Sequence, residues 1–400
     1  MFSSLLVFNM HKVACTYTIS IGQAGDPCPP KAELDTCTCT ETRFQSNSVL
    51  EMPKILRSLT TAHPEVVRET AFVQTQESGE VNNSGLYTEI TCKGSRTVTT
   101  LQGTIMFALH RKLVDKLVVS HVPGLREHTL VRLPAQWLKN TRIRQFEIWD
   151  TVLSGDFLWH GSPFDGQGDT LMLLSANRCS LYGALSFDDI GTVHTKGLNL
   201  LPHLQGVNLS FNHLTIVKAT AFRTPPANLT TIIMSHNSLQ ILEPGSFQYV
   251  TLLKCIDLSH NLLENIVRSL FASPAKYLES IDLSWNFLRT LPIDFFVNMP
   301  ALRRVNLSKN FLHSLPEKPW GIMWKQLTFL DLSGNFIDCD CSLLWLLSVL
   351  SPTTKNSTTT PAPKILPGQR ILAECTQNSM PGYYSIRHDL TILTRKNLMC

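Results

Sequence analysis

Eleven cysteines are the residues with the most chemistry to offer in this 400-residue chain. Cys28, Cys37, Cys39 and Cys92 stand near its start, and Cys339, Cys341, Cys375 and Cys400 near its end. Such clusters suit either disulfide formation in an oxidising compartment or thiolate coordination of zinc. Zinc sites favour Cys-x2-Cys pairs or a His-x3-His partner, and neither accompanies these clusters. Even-numbered clusters flanking a cysteine-poor middle therefore read as two disulfide-stapled ends. Between them, Cys179 falls at an inward position and reads as a small buried hydrophobe. Cys255 precedes Ile256, so its side chain should leave the strand on the solvent side. Partial burial by its neighbours and intermolecular pairing are the two readings of that thiol.

Histidines and acids offer the second chemistry, yet no catalytic motif surrounds them. The chain has no Gly-x-Ser-x-Gly elbow, phosphate-binding glycine loop, His-Glu-x-x-His pair or dinucleotide fingerprint. No enzyme activity, cofactor or metal is expected. The formal net charge of +4 is spread along the chain without a Lys/Arg block, which disfavours nucleic acid as a partner. With 43% hydrophobic and 16% charged residues, the chain can bury a large core.

The start "MFSSLLVFNMHKVACTYTISIGQAG" reads as a signal peptide over residues 1–25, beginning at Met1 or Met10. No later apolar stretch reaches about 18 residues, so no membrane span is expected. Export would make glycan acceptors of the five Asn-x-Ser/Thr sites, Asn82, Asn208, Asn228, Asn306 and Asn356.

A repeat positions these side chains. "LQGVNLSFNHL" from Leu204, "LKCIDLSHNLL" from Leu253 and "LESIDLSWNFL" from Leu278 all fit L-x-x-L-x-L-x-x-N-x-L. Its asparagines, Asn212, Asn237, Asn261, Asn286, Asn310 and Asn335, recur at steps of 24 or 25 residues. Alternating apolar residues such as Ile281 and Leu283 predict a short strand with one buried face. Each asparagine amide, donor and acceptor at once, suits an inward turn that leaves backbone groups unpaired. Phe222, Phe247, Phe271 and Phe296 should fill the far side of the core. Weaker copies begin at Ile143, with Thr151 in the asparagine slot, and at Val114, with Val122 there. A third, "LMLLSANRC", carries Met172, Leu174 and Asn177, with Cys179 at the last leucine position. The expectation is an α/β leucine-rich-repeat solenoid, a curved parallel sheet of about eight or nine repeats, with disulfide caps at both ends.

On the concave face, one outward column reads Asn208, Ile233, Asp257, Asp282, Asn306, Asp331. Another reads Phe211, His236, His260, Trp285, Lys309, Gly334. Asp257, Asp282, Asp331, His236, His260 and Trp285 are the candidate partner-binding stripe. Asp-Leu-Ser is also common repeat filler, and glycans on Asn208 and Asn306 would cover part of that stripe.

"CDCSLLWLL" after Asn335, with Cys375 and Cys400 downstream, resembles the carboxyl-flanking module of extracellular leucine-rich-repeat proteins. That resemblance implies Cys339–Cys375 and Cys341–Cys400 bonds, with a short helix from Leu343, Leu344, Leu346 and Leu347 over the open core. "DPCPPKAELDTCTCTE" and "EITCKG" resemble the amino-flanking module, implying Cys28–Cys39 and Cys37–Cys92. The polar insertion at 41–85 departs from that module, and a disordered insertion, an elaborated cap and a gene-model error all fit it. The division is then 26–92 amino cap, 93–338 repeats and 339–400 carboxyl cap, with "SPTTKNSTTTPAP" as an exposed loop. The "CPP…CTC" start with degenerate early repeats is similar to arthropod proteins named for the non-catalytic subunit of oplophorus luciferase. The resemblance implies a secreted protein that binds another protein, as accessory subunit of an extracellular complex. A receptor ectodomain and a matrix protein are the alternatives.

Overall fold

The computed structural model describes residues 15, 25–35, 37–44, 85–94, 98–123, 130–154, 163–185, 198–350, 369–377 and 386–400. Most of the expected leader, most of the 41–85 insertion, Asn82, Asn356 and the Ser/Thr/Pro stretch lie outside these residues. Strands β1 (Cys37–Phe44) and β2 (Gly85–Lys93) pair antiparallel, with Cys37 opposite Cys92. Helix α1 (Val98–Ala108) buries Val98, Leu101, Ile105 and Ala108 along one stripe. Strands β3 (Leu113–Ser120), β4 (Arg142–Trp149), β5 (Leu173–Asn177) and β6 (Tyr182–Leu185) follow. Next come β7 (Gly206–Asn208), β8 (His213–Val217), β9 (Thr231–Ile233) and β10 (Ile241–Leu242). After them stand β11 (Cys255–Asp257), β12 (Ser280–Asp282) and β13 (Arg304–Asn306). Helix α2 (Glu317–Gln326) and β14 (Phe329–Asp331) precede α3 (Leu344–Leu350). The last strands are β15 (Arg370–Leu372), β16 (Glu374–Gln377) and β17 (Ile386–Asp389).

Twelve strands make one sheet, ordered β1-β2-β3-β4-β5-β7-β9-β11-β12-β13-β14-β15. Only the β1–β2 pair is antiparallel among them. Strands β6, β8 and β10 form a second, parallel sheet. The register sets Ile256, Ile281, Val305 and Leu330 side by side, all fully buried. Stacking of successive repeats thus builds one core that runs from Leu34 to Leu398. Phe222, Phe247, Phe271 and Phe296 are buried in it; Phe222 lies tilted against Phe247 at 5.6 Å, and Phe247 stacks on Phe271 at 6.0 Å.

Each inward asparagine ties two repeats together. The Asn261 amide donates to the carbonyls of Met234, Leu258 and Ser259 at 3.0, 3.0 and 3.1 Å, and accepts from the Leu239 N–H at 3.0 Å. Asn212, Asn237, Asn286, Asn310 and Asn335 bond in the same manner. Thr151 fills the slot upstream with one hydroxyl, which accepts from Val122 N–H and donates to Trp149 O. The register corrects the reading of "LMLLSANRC". Leu174 pairs with Val207, so Cys179, not Asn177, occupies the asparagine slot. Its thiol lies 3.4 Å from Ile148 O and 3.2 Å from Asn177 O, where an amide nitrogen would sit. Burial pushes that thiol up to about 12, so it stays a donor.

At the ends, Cys28 bonds Cys39, Cys37 bonds Cys92, and Cys339 bonds Cys375. Cys341 and Cys400 are not bonded, contrary to the module's pattern. Both thiols are exposed, and hydrogen bonding to Cys341 pushes Cys400 up to about 11. The lid helix also differs from expectation. The buried Leu343 belongs to the 3-10 turn before helix α3, which itself buries Leu346 and Leu350 but turns Leu344 outward. Its Trp345 packs edge-on against Trp324 of α2 and donates to Leu315 O at 2.7 Å.

Cys255 is neither free nor exposed: it bonds Cys15 and packs with Leu173 and Ile233 on the outer sheet face. A cut near Gly25 would remove Cys15 and leave Cys255 unpaired. Gly25 and Asp26 are themselves fixed to the fold, their N–H groups donating to Leu86 O and Leu113 O. Gly25 crosses Asp115 so closely that an added Cβ would lie 2.2 Å from its carboxylate.

Candidate functional site

The residue before each inward slot is left-handed in nine successive turns, with φ from 46° at Asp150 to 71° at Gly334. This kink lets the outer strand face give way to an inward-pointing side chain. Bulky residues pay for left-handed backbone in sterics, and glycine or asparagine fills it most easily. Here the positions read His121, Asp150, Arg178, Phe211, His236, His260, Trp285, Lys309 and Gly334. Four consecutive turns thus carry large rings.

Those rings stack face to face along the strand ends. Phe211 and His236 lie 4.2 Å apart, His236 and His260 4.0 Å, and His260 and Trp285 5.1 Å, with interplanar angles of 8° to 13°. Cations close both ends: the Arg178 guanidinium is 5.5 Å from the Phe211 centroid, and Lys309 Nζ is 5.7 Å from that of Trp285. Gly334 makes room for the Lys309 stem, since a Cβ there would sit 2.6 Å from Lys309 Cδ. Ring faces cover one another, so ring edges are what the column offers. Trp285 is 41% exposed, while His236 and His260 are half-buried.

The acidic members of the stripe behave differently. Asp257, Asp282 and Asp331 each accept the N–H of the serine two residues on, at 2.9 Å. Asn208 and Asn306 do the same for Ser210 and Ser308. The Asp/Asn-Leu-Ser pattern is therefore a local turn device. Asp282 also takes the Ser284 hydroxyl and the Asn306 amide. Burial pushes the Asp282 carboxyl up to about 7, the Asp257 charge adds to the rise, and the Ser284 and Asn306 donors oppose it. Asp282 and Asp331 are buried, so their expected role as open partner contacts does not hold; Asp257 is half-buried. Asn208 and Asn306 are buried as well, and a glycan on either would displace the packing seen here. Asn228 is exposed, its amide donating to Pro202 O.

One further column escaped the sequence reading. Phe287, Phe311 and Phe336 follow three successive slot asparagines and stack at 5.6 and 5.7 Å while 37% to 53% exposed. The Asn-Phe pairs 286–287, 310–311 and 335–336 were its visible signal. Trp285 and Phe287 flank Asn286, so the two columns run along either side of the inward ladder.

The strand register, the inward asparagines and the capped core define a repeat protein. A leucine rich repeat family model matches residues 202–263 and 276–337. Those residues carry leucine-rich repeats, which generally mediate contacts between proteins. No curated protein matches it. Among the described residues no helix is long and apolar enough to cross a membrane.

Proposed function

We propose that the chain is a secreted, non-catalytic binding protein. Its repeats coil into a solenoid, and it takes a protein partner on the surface bearing the stacked column from Phe211 to Trp285. The observation that carries this reading is the stack itself. Four rings occupy positions where the backbone favours glycine, and cations flank both ends. Rings already fixed against one another lose little rotamer freedom when a partner docks. A half-exposed Trp beside Lys309 is the type of anchor that dominates interface energetics. The disulfides are consistent with an oxidising exterior. The resemblance to non-catalytic luciferase subunits supports an accessory role, with the partner supplying any chemistry.

Affinity capture from the source's extracellular fluid tests the reading. Trp285→Ala/His260→Ala should retain at least about tenfold less of a reproducible partner than wild type. Ile293→Ser/Ile322→Ser changes exposed residues away from the column and should retain it. Equal capture by both doubles, each folded by thermal melting, contradicts the assignment.

A further inference from the structure

The turns leading into β3 and β4 form a cleft of about 340 Å³, at the opposite end of the strands from the ring column. Arg111, Lys139 and Arg142 line it, together with Asn140 and one carboxylate, Asp165. The two turns are tied: Arg111 N–H donates to Asn140 O at 2.6 Å, and Arg142 N–H to Lys112 O at 3.1 Å. Beneath them the buried Gln167 amide donates to Leu138 O and Thr141 O, both at 2.8 Å, and accepts from Ile143 N–H at 3.0 Å. The loop carrying Lys139, Asn140 and Arg142 is thus pinned from below before any ligand arrives.

Three exposed cations are gathered on this scaffold, and among the described residues none has a carboxylate within ion-pair distance. Lys139 Nζ reaches only the neutral Gln136 Oε1 at 3.2 Å, while Gln136 Nε2 donates to Asp165 Oδ2 at 2.9 Å. Three cations gathered against one carboxylate, none of them ion-paired, invite an anion. The lone carboxylate narrows its chemistry. Asp165 would repel a bare phosphate or sulfate, but it accepts hydrogen bonds from hydroxyl groups, as the Asn140 amide also does. A ligand carrying both oxyanions and hydroxyls satisfies the whole wall.

We propose that this cleft binds an acidic polysaccharide, with Arg111 and Arg142 holding its sulfate or carboxylate groups and Asp165 and Asn140 its hydroxyls. The site is independent of the ring column. Heparin, an unsulfated uronic-acid polymer and inorganic sulfate serve as probes for the full chain. Wild type should bind at least one polymer. Arg111→Gln/Arg142→Gln should weaken that binding by about tenfold or more, since it removes two charge-assisted contacts to the polymer. Arg223→Gln/Lys325→Gln removes the same charge from exposed residues elsewhere and should change it by less than about twofold. Inorganic sulfate at matched ionic strength should not displace the polymer. No polymer binding by folded wild type, equal losses in both doubles, or full displacement by free sulfate would each overturn the proposal.

Discussion

Between Asn212 and Asn335, six amides at steps of 24 or 25 residues each join two repeats, whereas between Val122 and Cys179 the same slot holds an isopropyl group, a hydroxyl and a thiol. The weaker slot chemistry of the first region comes with longer strands. Strands β3 and β4 run eight residues each, against three for β11, β12 and β13. Single polar anchors supply the remainder. Arg144 pairs with the fully buried Asp115, which also accepts the Thr88 N–H. Lys116 meets Glu147 at 3.1 Å, and Gln167 ties three backbone groups of one loop. In the repeat region a missing bond has neighbours that make the same bond. In the first region each anchor stands alone.

The largest effect should therefore come from an anchor. Arg144→Leu leaves Asp115 buried without its cation, at a cost of about 3–5 kcal/mol at neutral pH. Burial already pushes the Asp115 carboxyl up, with Thr88 and Arg144 pulling it down. Losing Arg144 raises it further, so the cost should shrink as acid protonates the group. Denaturant titrations at pH 5 and pH 8 check this, and an equal cost at both would refute it. Asn261→Ala comes next. It leaves three carbonyls and the Leu239 N–H to find other partners, for about 2–3 kcal/mol. Thr151→Val removes one donor and one acceptor and should cost about 1 kcal/mol. Reversal of that order would break the comparison.

A separate effect is a pH dependence within the repeats. An unfolded Asp282 titrates near 3.8, and the folded group near 7. The folded protein thus holds a proton that the unfolded chain has released. This contribution is complete below about pH 4 and is lost as pH rises through about 7. Asp282→Asn should flatten the fall in melting temperature over that window. Asn208 and Asn306 already occupy equivalent positions with the same serine bond. An unchanged slope would place the titration elsewhere.

Legibility followed the same divide. The six asparagines announced their slot because one residue type recurs there at steps of 24 or 25 residues. Cys179 was passed over because Asn177, two positions earlier, offered a false match. The column of rings was readable from spacing, but its left-handed backbone was not, since Phe, His and Trp are poor markers of that conformation. The acids of the stripe were misjudged because alternation alone shows which way a side chain points. It does not show that Ser284 and Asn306 will close over Asp282. The Cys15–Cys255 bond spans 240 residues, and no local pattern links its ends.

Residue-resolved hydrogen exchange across both regions tests the contrast most directly. The N–H groups of Leu214, Leu239, Leu263, Leu288 and Leu312 all donate to slot asparagines. They should share one opening free energy and exchange as a unit. The N–H groups of Val122 and Ile143, held by Thr151 and Gln167, should open separately and at lower free energies. A single opening free energy for all seven would contradict the account.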